Sequence, residues 1–389
     1  MSLAGRQILV TGATGFIGGR LVEALIQQHG CRVRVLIHNF TNASRLARFP
    51  LEMVPGDVSD EAVVTKAAQG CDVIIHAARG NSGSTVEMRK ASVQGTEAIL
   101  KAGLTAGVQR VVHLSTISVY GFTPDGDLNE NSPRGRLFDE YCRDKADAEN
   151  LALSYHRKKG LPVTVLQPTV VYGPFASSWT IPPLTHLRNA QVVLPNDGNG
   201  LCNAVYIDDV VDAIIRAAHV PAAVGECFLV SGAEPVTWRD FYGAYEEMLG
   251  FQSTIGMTEA EVRKELRGHP WRDLLRDCVQ FVQHPNVNRR IQSTFLLRMP
   301  FRTLNYLLPR RLRARLKAAT QETPVAKYGP AAAIKPKRLP NVDYFRWLAA
   351  KTHVRIDKAR QLLGYAPQFD FQAGMLRTRL WAEWASMLN

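Results

Sequence analysis

Short runs rich in valine, isoleucine and leucine alternate with longer stretches of helical apolar periodicity from the start of the chain to Val230. The runs Gln7–Thr11, Arg32–Ile37, Leu51–Pro55, Val73–His76, Gln109–Ser115, Val163–Gln167 and Phe228–Val230 are predicted strands. Helices are predicted between them, for example over Gly18–Gln28 and Ala91–Ala106. Such alternation builds βαβ units, so the pattern predicts an α/β fold around a doubly wound parallel sheet.

After about Pro174 the alternation loosens into loops rich in proline and glycine, with one more strand–helix unit over Asn203–Ala218 and helical segments beyond Thr237. The predicted organisation is a first lobe over 1–175, to which 203–232 returns, and a smaller C-terminal substrate-binding lobe made of 176–202 and 233–389. Ala318–Pro340 reads as a linker, and Lys358–Asn389 as a last amphipathic helical part carrying Trp381 and Trp384.

Composition narrows the class. The 389 residues are 46% hydrophobic and 21% charged, which suits a two-lobed globular protein and excludes a disordered or collagen-like chain. Six cysteines without CxxC or Cys/His spacing argue against a structural zinc and a disulfide framework, so no metal is expected and a reducing, cytoplasmic setting is. No run approaches the roughly 18 apolar residues of a membrane-spanning helix, and no leader pattern precedes Gln7.

The first strand runs into Thr11-Gly12-Ala13-Thr14-Gly15-Phe16-Ile17-Gly18, which opens directly into a helix. Glycines let the backbone turn tightly and approach a pyrophosphate, and the helix start offers it free N–H groups and partial positive charge. Placed strand, loop, helix and followed by a second strand, the spacing predicts a Rossmann-type dinucleotide site. An Asp or Glu for the ribose 2′-hydroxyl is missing after the second strand, where His38 and Asn39 stand with Arg45 and Arg48 beyond. That removes repulsion against a 2′-phosphate and favours NADP(H), with NAD(H) as the alternative. Asp57 and Val58 follow the third strand and Ala77 and Ala78 the fourth, placing an acceptor near the adenine and small residues under the cofactor.

Tyr141 and Lys145 stand four residues apart in a helical stretch, hence on one face. A phenol with an ordinary pKa near 10 is a poor base at neutral pH, and a neighbouring ammonium stabilises its phenolate. Thr116 follows the fifth strand, at the carboxyl edge where ligands of doubly wound sheets bind.

The ordered segments TGATGFIGG, GDVSD, HAA, LSTISVYG, YxxxK, QPTVVYGP, VYIDDVVDAI and KARQLLGYAP resemble the NAD-dependent epimerase/dehydratase group of extended short-chain dehydrogenases, over nearly the whole chain except about 241–342. The resemblance implies that Tyr141 is the acid/base, that Lys145 holds the nicotinamide ribose and lowers the tyrosine pKa, and that Thr116 binds the reacting oxygen. It places Pro168 and Val171 beside the nicotinamide, and Ser118 and Tyr172 against the substrate.

Departures from the family pattern limit the substrate. Members that eliminate water from nucleotide sugars carry Asp-Glu after this threonine, where this chain has Ile117 and Ser118. A helix that often begins with Asn reads Ser92-Val93-Gln94-Gly95-Thr96. Where nucleotide-sugar enzymes often carry a phosphate-gripping Arg, this chain has Cys202-Asn203-Ala204. The expected reaction is interconversion of a secondary alcohol and a ketone on an apolar polycyclic or long-chain small molecule. The alternatives are nucleotide-sugar epimerisation and a non-catalytic dinucleotide-binding protein.

The net charge of +12 is concentrated between Asp277 and Glu322, where no acid occurs and a basic series runs from Arg289 to Lys317. Leu297, Phe301, Leu304, Leu308, Leu312 and Leu316 recur at helical spacing there. An amphipathic part of the basic segment 288–318, over 294–318, is thus expected either to touch an anionic membrane surface or to pack on its own lobe with a solvated basic face. No recognition motif accompanies the charge, so nucleic acid is not an expected partner, and a homodimer is the remaining partner expectation.

Overall fold

The computed structural model describes residues 3–80, 83–123, 125–267 and 335–388. The basic segment 288–318, most of the linker expected over Ala318–Pro340, and Cys278 lie outside the described residues.

The first lobe starts with β1 (Gln7–Thr11), α1 (Phe16–Gln27), β2 (Arg32–Ile37), β3 (Glu52–Pro55), α2 (Glu61–Ala68) and β4 (Val73–His76). Next come α3 (Thr85–Arg89), α4 (Gly95–Ala106), β5 (Arg110–Leu114), β6 (Gly126–Leu128), α5 (Glu140–Lys159), β7 (Val163–Pro168) and β8 (Val170–Tyr172). The chain continues through α6 (Ile181–Asn189), β9 (Gln191–Pro195), β10 (Leu201–Cys202), β11 (Ala204–Tyr206), α7 (Ile207–His219), β12 (Cys227–Val230), β13 (Val236–Thr237) and α8 (Trp238–Leu249). It ends with β14 (Thr254–Met257), α9 (Glu259–Arg267), β15 (Lys337–Arg338), α10 (Val342–Ala349), β16 (Thr352–Val354) and α11 (Phe371–Trp384).

Seven parallel strands form the central sheet in the order β12-β7-β5-β4-β1-β2-β3. Successive side chains of a strand point to opposite faces. Ile8 and Val10 accordingly enter one core and Leu9 the other, as Val112 and Val111 do on β5. Both faces are covered by helices, so these strands are apolar at consecutive positions. The direction of strand addition reverses between β1 and β4, and ligands of open α/β sheets bind outside the carboxyl ends at such a point.

Residues from the later chain complete the first lobe. α7 packs against α1, β5 and β7, and β12 closes the sheet edge beside β7. Arg20 of α1 pairs with Asp208 at the start of α7, with Nε 2.6 Å from Oδ1. Farther along, β16 pairs in parallel with β6, Thr352 to Val354 against Gly126 to Leu128.

The second lobe is built on β14-β9-β15, with α6 and α10 against it and α8 packed on α6 and on the β10-β13 pair. Its centre is aromatic: the Trp179 and Trp238 rings lie 5.4 Å apart and those of Trp238 and Trp347 5.3 Å apart. Among the described residues, no helix is long and apolar enough to cross a membrane.

Candidate active site

The turn from β1 into α1 can form only because its glycines carry no side chain. Gly12 has φ +71°, and a Cβ on it would sit 2.6 Å from the Ala77 carbonyl carbon. A Cβ on Gly18 would lie 2.2 Å from the Gly12 oxygen. This packing holds the turn against Ala77 and Ala78 at the end of β4. At the α1 N-cap, Gly15 provides no side-chain cap, and the first turn holds no acid. The opening amides are therefore unmatched by the chain and suited to a pyrophosphate.

Beside this turn lies a cavity of about 2510 Å³ that runs from the carboxyl edge of the sheet into the second lobe. Gly12, Thr14, Gly15, Phe16, Ile17 and Gly18 line one end, with His38, Asp57, Val58, Ala77 and Ala78. Thr116, Ser118, Tyr141, Pro168 and Val171 line its middle. Trp179, Val193, Leu339, Tyr344 and Trp347 belong to its far wall.

Asp57 accepts hydrogen bonds from the Ser59 amide at 2.8 Å and hydroxyl at 2.7 Å, and its Oδ2 is 3.3 Å from His38 Nδ1. Burial pushes the Asp57 carboxyl up, but the Ser59 bonds and His38 outweigh it and the net shift is downward. Arg45 and Arg48 are turned to Glu23, at 3.5 and 3.3 Å, and Arg45 also lies over the Phe175 ring. Neither arginine lines the cavity.

Asp139 caps α5, accepting from the Cys142 amide at 2.8 Å, and so fixes Tyr141 in the first turn of that helix. Thr116 caps the short turn after β5, accepting from the Ser118 amide at 3.2 Å and donating to the Ser118 hydroxyl at 3.3 Å, with the Tyr141 phenol beside it. Desolvation pushes the Tyr141 phenol up, Arg79 and Thr116 draw it only part of the way back, and the net shift is upward, with Lys145 not among the groups that lower it. The Arg79 Cζ stands 5.4 Å from the Tyr141 ring centre.

Lys145 follows one turn later, 6% exposed, and donates to the Leu114 carbonyl. Burial lowers its pKa to about 8, with Arg79 pushing the same way and Glu149 opposing. The lysine expected to touch the ribose thus lies beneath the cavity wall rather than on it. The cation acting most strongly on Tyr141 is Arg79, which sequence reasoning missed although it directly follows the small pair Ala77-Ala78.

Tyr172 is placed otherwise than expected. It is 1% exposed, packs against Tyr206, Phe241 and Phe371, and donates to the Phe371 carbonyl at 3.3 Å. This corrects the substrate-contact assignment: Val170 and Val171 of β8 reach the cavity, whereas the Tyr172 ring is packed among Tyr206, Phe241 and Phe371 and does not line it. Asn203 is likewise occupied, donating to the Thr352 carbonyl and accepting from the Val354 amide.

An uncapped helix start beside a glycine cradle, at the switch point of a doubly wound sheet with a Thr-Tyr-Lys set beyond it, defines a Rossmann-type enzyme site of the extended short-chain dehydrogenase kind. Residues 8–230 match the NAD dependent epimerase/dehydratase family, and the chain belongs to it.

A dTDP-glucose 4,6-dehydratase of Streptomyces antibioticus is 31% identical, over 70% of this chain and 84% of its own. The sterol demethylase protein B of Methylococcus capsulatus is 32% identical, over 62% and 74%. Among solved structures, a dTDP-glucose 4,6-dehydratase of Streptomyces venezuelae with NAD bound superposes with a TM-score of 0.65 at 23% identity, covering 97% of each chain.

Proposed function

We propose that this protein is an NAD(P)-dependent oxidoreductase that interconverts a secondary alcohol and a ketone on an apolar small molecule. The observation that carries the reading is the far wall of the cavity, where Trp179, Val193, Leu339, Tyr344 and Trp347 offer apolar surface beyond Tyr141. Lys335 and Lys337, also on that wall, are committed to their own lobe through the Leu187 carbonyl and Glu265. The two positions after Thr116, Ile117 and Ser118, hold no acid for dehydration.

The glycine turn and the opening amides of α1 would hold the dinucleotide, which supplies or takes the hydride when bound. Thr116 fixes the reacting oxygen. Tyr141 takes the alcohol proton in oxidation or gives it to the nascent alkoxide in reduction. Lys145 supports the end of β5 through Leu114, and Arg79 supplies positive charge beside the phenol. A 2′-phosphate would meet His38 and Asn39 at the end of β2, which keeps NADP(H) the favoured cofactor even with Arg45 and Arg48 engaged elsewhere.

A second reading, nucleotide-sugar epimerisation, is favoured by His186 and Arg338, which lie close enough to interact and line the same cavity. The test is cofactor absorbance with panels of polycyclic and long-chain secondary alcohols and ketones and of UDP- and dTDP-sugars. Net formation or loss of reduced cofactor on the apolar panel supports the proposal. Epimerised sugar without net absorbance change, and an inert apolar panel, would replace it with the second reading.

A further inference from the structure

Arg79 follows the strand–turn Val73–Ala78 at the carboxyl edge of the sheet and lines the cavity together with Thr116 and Tyr141. The hydrogen bond it makes is to its neighbour's carbonyl, Nη1 to Gly80 O at 3.2 Å. Among the described residues no carboxylate lies within ion-pair distance of it. Nearby arginines are matched: Arg89 with Asp144 at 2.6 Å and Asp147 at 2.7 Å, and Arg134 with Glu149. A guanidinium keeps its charge at any working pH and presents a planar fork suited to a carboxylate.

We propose that Arg79 forms an anion subsite within the active site, and that the substrate carries a carboxylate close to the carbon bearing the reacting oxygen. The placement sets the position of the anion. With the guanidinium carbon 5.4 Å from the Tyr141 ring centre, a group held by Arg79 is a near neighbour of an oxygen held by Tyr141 and Thr116. A diphosphate at the remote end of a sugar nucleotide does not meet this requirement, whereas a 3-hydroxy or 3-oxo acid does. The apolar far wall then takes the hydrocarbon part, so one cavity reads both ends of such a molecule.

This inference rests on Tyr141 marking the reacting centre, but its test does not need turnover. The full chain loaded with NADPH is titrated with 3-hydroxydecanoate and with its methyl ester, following quenching of tryptophan fluorescence, since Trp179 and Trp347 line the cavity. The wild type is expected to bind the acid at least about tenfold more tightly than the ester, about 1.4 kcal/mol. Arg79→Gln is expected to level the two, and Arg79→Lys to keep most of the preference.

An unchanged melting temperature and NADPH affinity verify that the variants fold. Equal binding of acid and ester to the wild type, no binding of the acid, or an acid preference retained in Arg79→Gln would overturn the subsite. An Arg79-dependent preference in a protein that turns over no alcohol or ketone would leave the subsite standing and remove the oxidoreductase reading.

Discussion

The ammonium of Lys145 donates to the carbonyl of Leu114, the last residue of β5 and two positions before Thr116. One side chain thereby links α5, which carries Tyr141, to the strand end that carries the threonine. Desolvation has a thermodynamic consequence, because the lysine pKa falls from 10.5 to about 8 on burial. A base with a lower pKa in the folded state binds fewer protons there than in the unfolded chain. Charging this lysine therefore opposes folding below about pH 8, and the penalty fades as pH rises from there toward 10.5. Lys145→Met should melt at a higher temperature than wild type near pH 6.5, with the gap closing toward pH 10.5, in calorimetric scans across that range. A gap that widens with pH would contradict the burial account.

Tyr141 and Thr116 should separate in kinetics. Tyr141→Phe removes the proton donor and acceptor and is expected to lower kcat by about 10²- to 10⁴-fold with little change in cofactor affinity. Thr116→Val should reduce kcat/KM, while Thr116→Ser restores most of it. Steady-state rates on the best alcohol–ketone pair, with a parallel fluorescence titration of NADPH, check both; unchanged turnover in Tyr141→Phe would remove it from the reaction.

Cofactor binding should be most sensitive at the glycines. Gly12→Ala meets the Ala77 carbonyl carbon at 2.6 Å and Gly18→Ala the Gly12 oxygen at 2.2 Å, backbone atoms that cannot swing aside. Each is expected to weaken NADPH binding by more than about tenfold, over 1.4 kcal/mol, and to lower the melting temperature. Gly70→Ala, where no atom lies within 4 Å but φ is +69°, should lower stability through backbone strain and leave cofactor affinity intact.

Discrimination between the two dinucleotides should turn on His38. His38→Asp places a carboxylate after β2, repelling a 2′-phosphate and accepting from a 2′-hydroxyl. The ratio of the NADPH and NADH dissociation constants should move at least about tenfold toward NADH. A ratio that stays where it was would show that the end of β2 does not read the ribose.

The sheet was legible because its signal is local: apolar runs such as Val73–His76, bounded by turns and alternating with helices, mark strands whatever lies next to them. The cofactor turn was legible for the same reason, since Gly12 and Gly18 act on atoms within one strand–turn–helix unit. Side-chain direction was not. Lys145 shares a face with Tyr141 as the spacing requires, yet that face meets Leu114 first and the lysine ends beneath the wall. Tyr172 follows two cavity-lining valines on β8, but its ring is taken up by Tyr206, Phe241 and Phe371, partners that lie far along the chain. Arg45 and Arg48 stand near the ribose in sequence, yet Glu23, on the preceding helix, holds both. Arg79 carried a local signal, a cation after two small residues at a strand end, but its meaning depends on α5 arriving from far along the chain.

The parallel pair β6 and β16 joins residues more than 200 positions apart, and Asp209 accepts from the Gln368 and Phe369 amides at 2.7 and 3.3 Å. Each lobe is therefore sewn into the other by backbone, and neither can be cut out along the sequence as a self-sufficient fragment. Heating should release them in a single calorimetric transition rather than two.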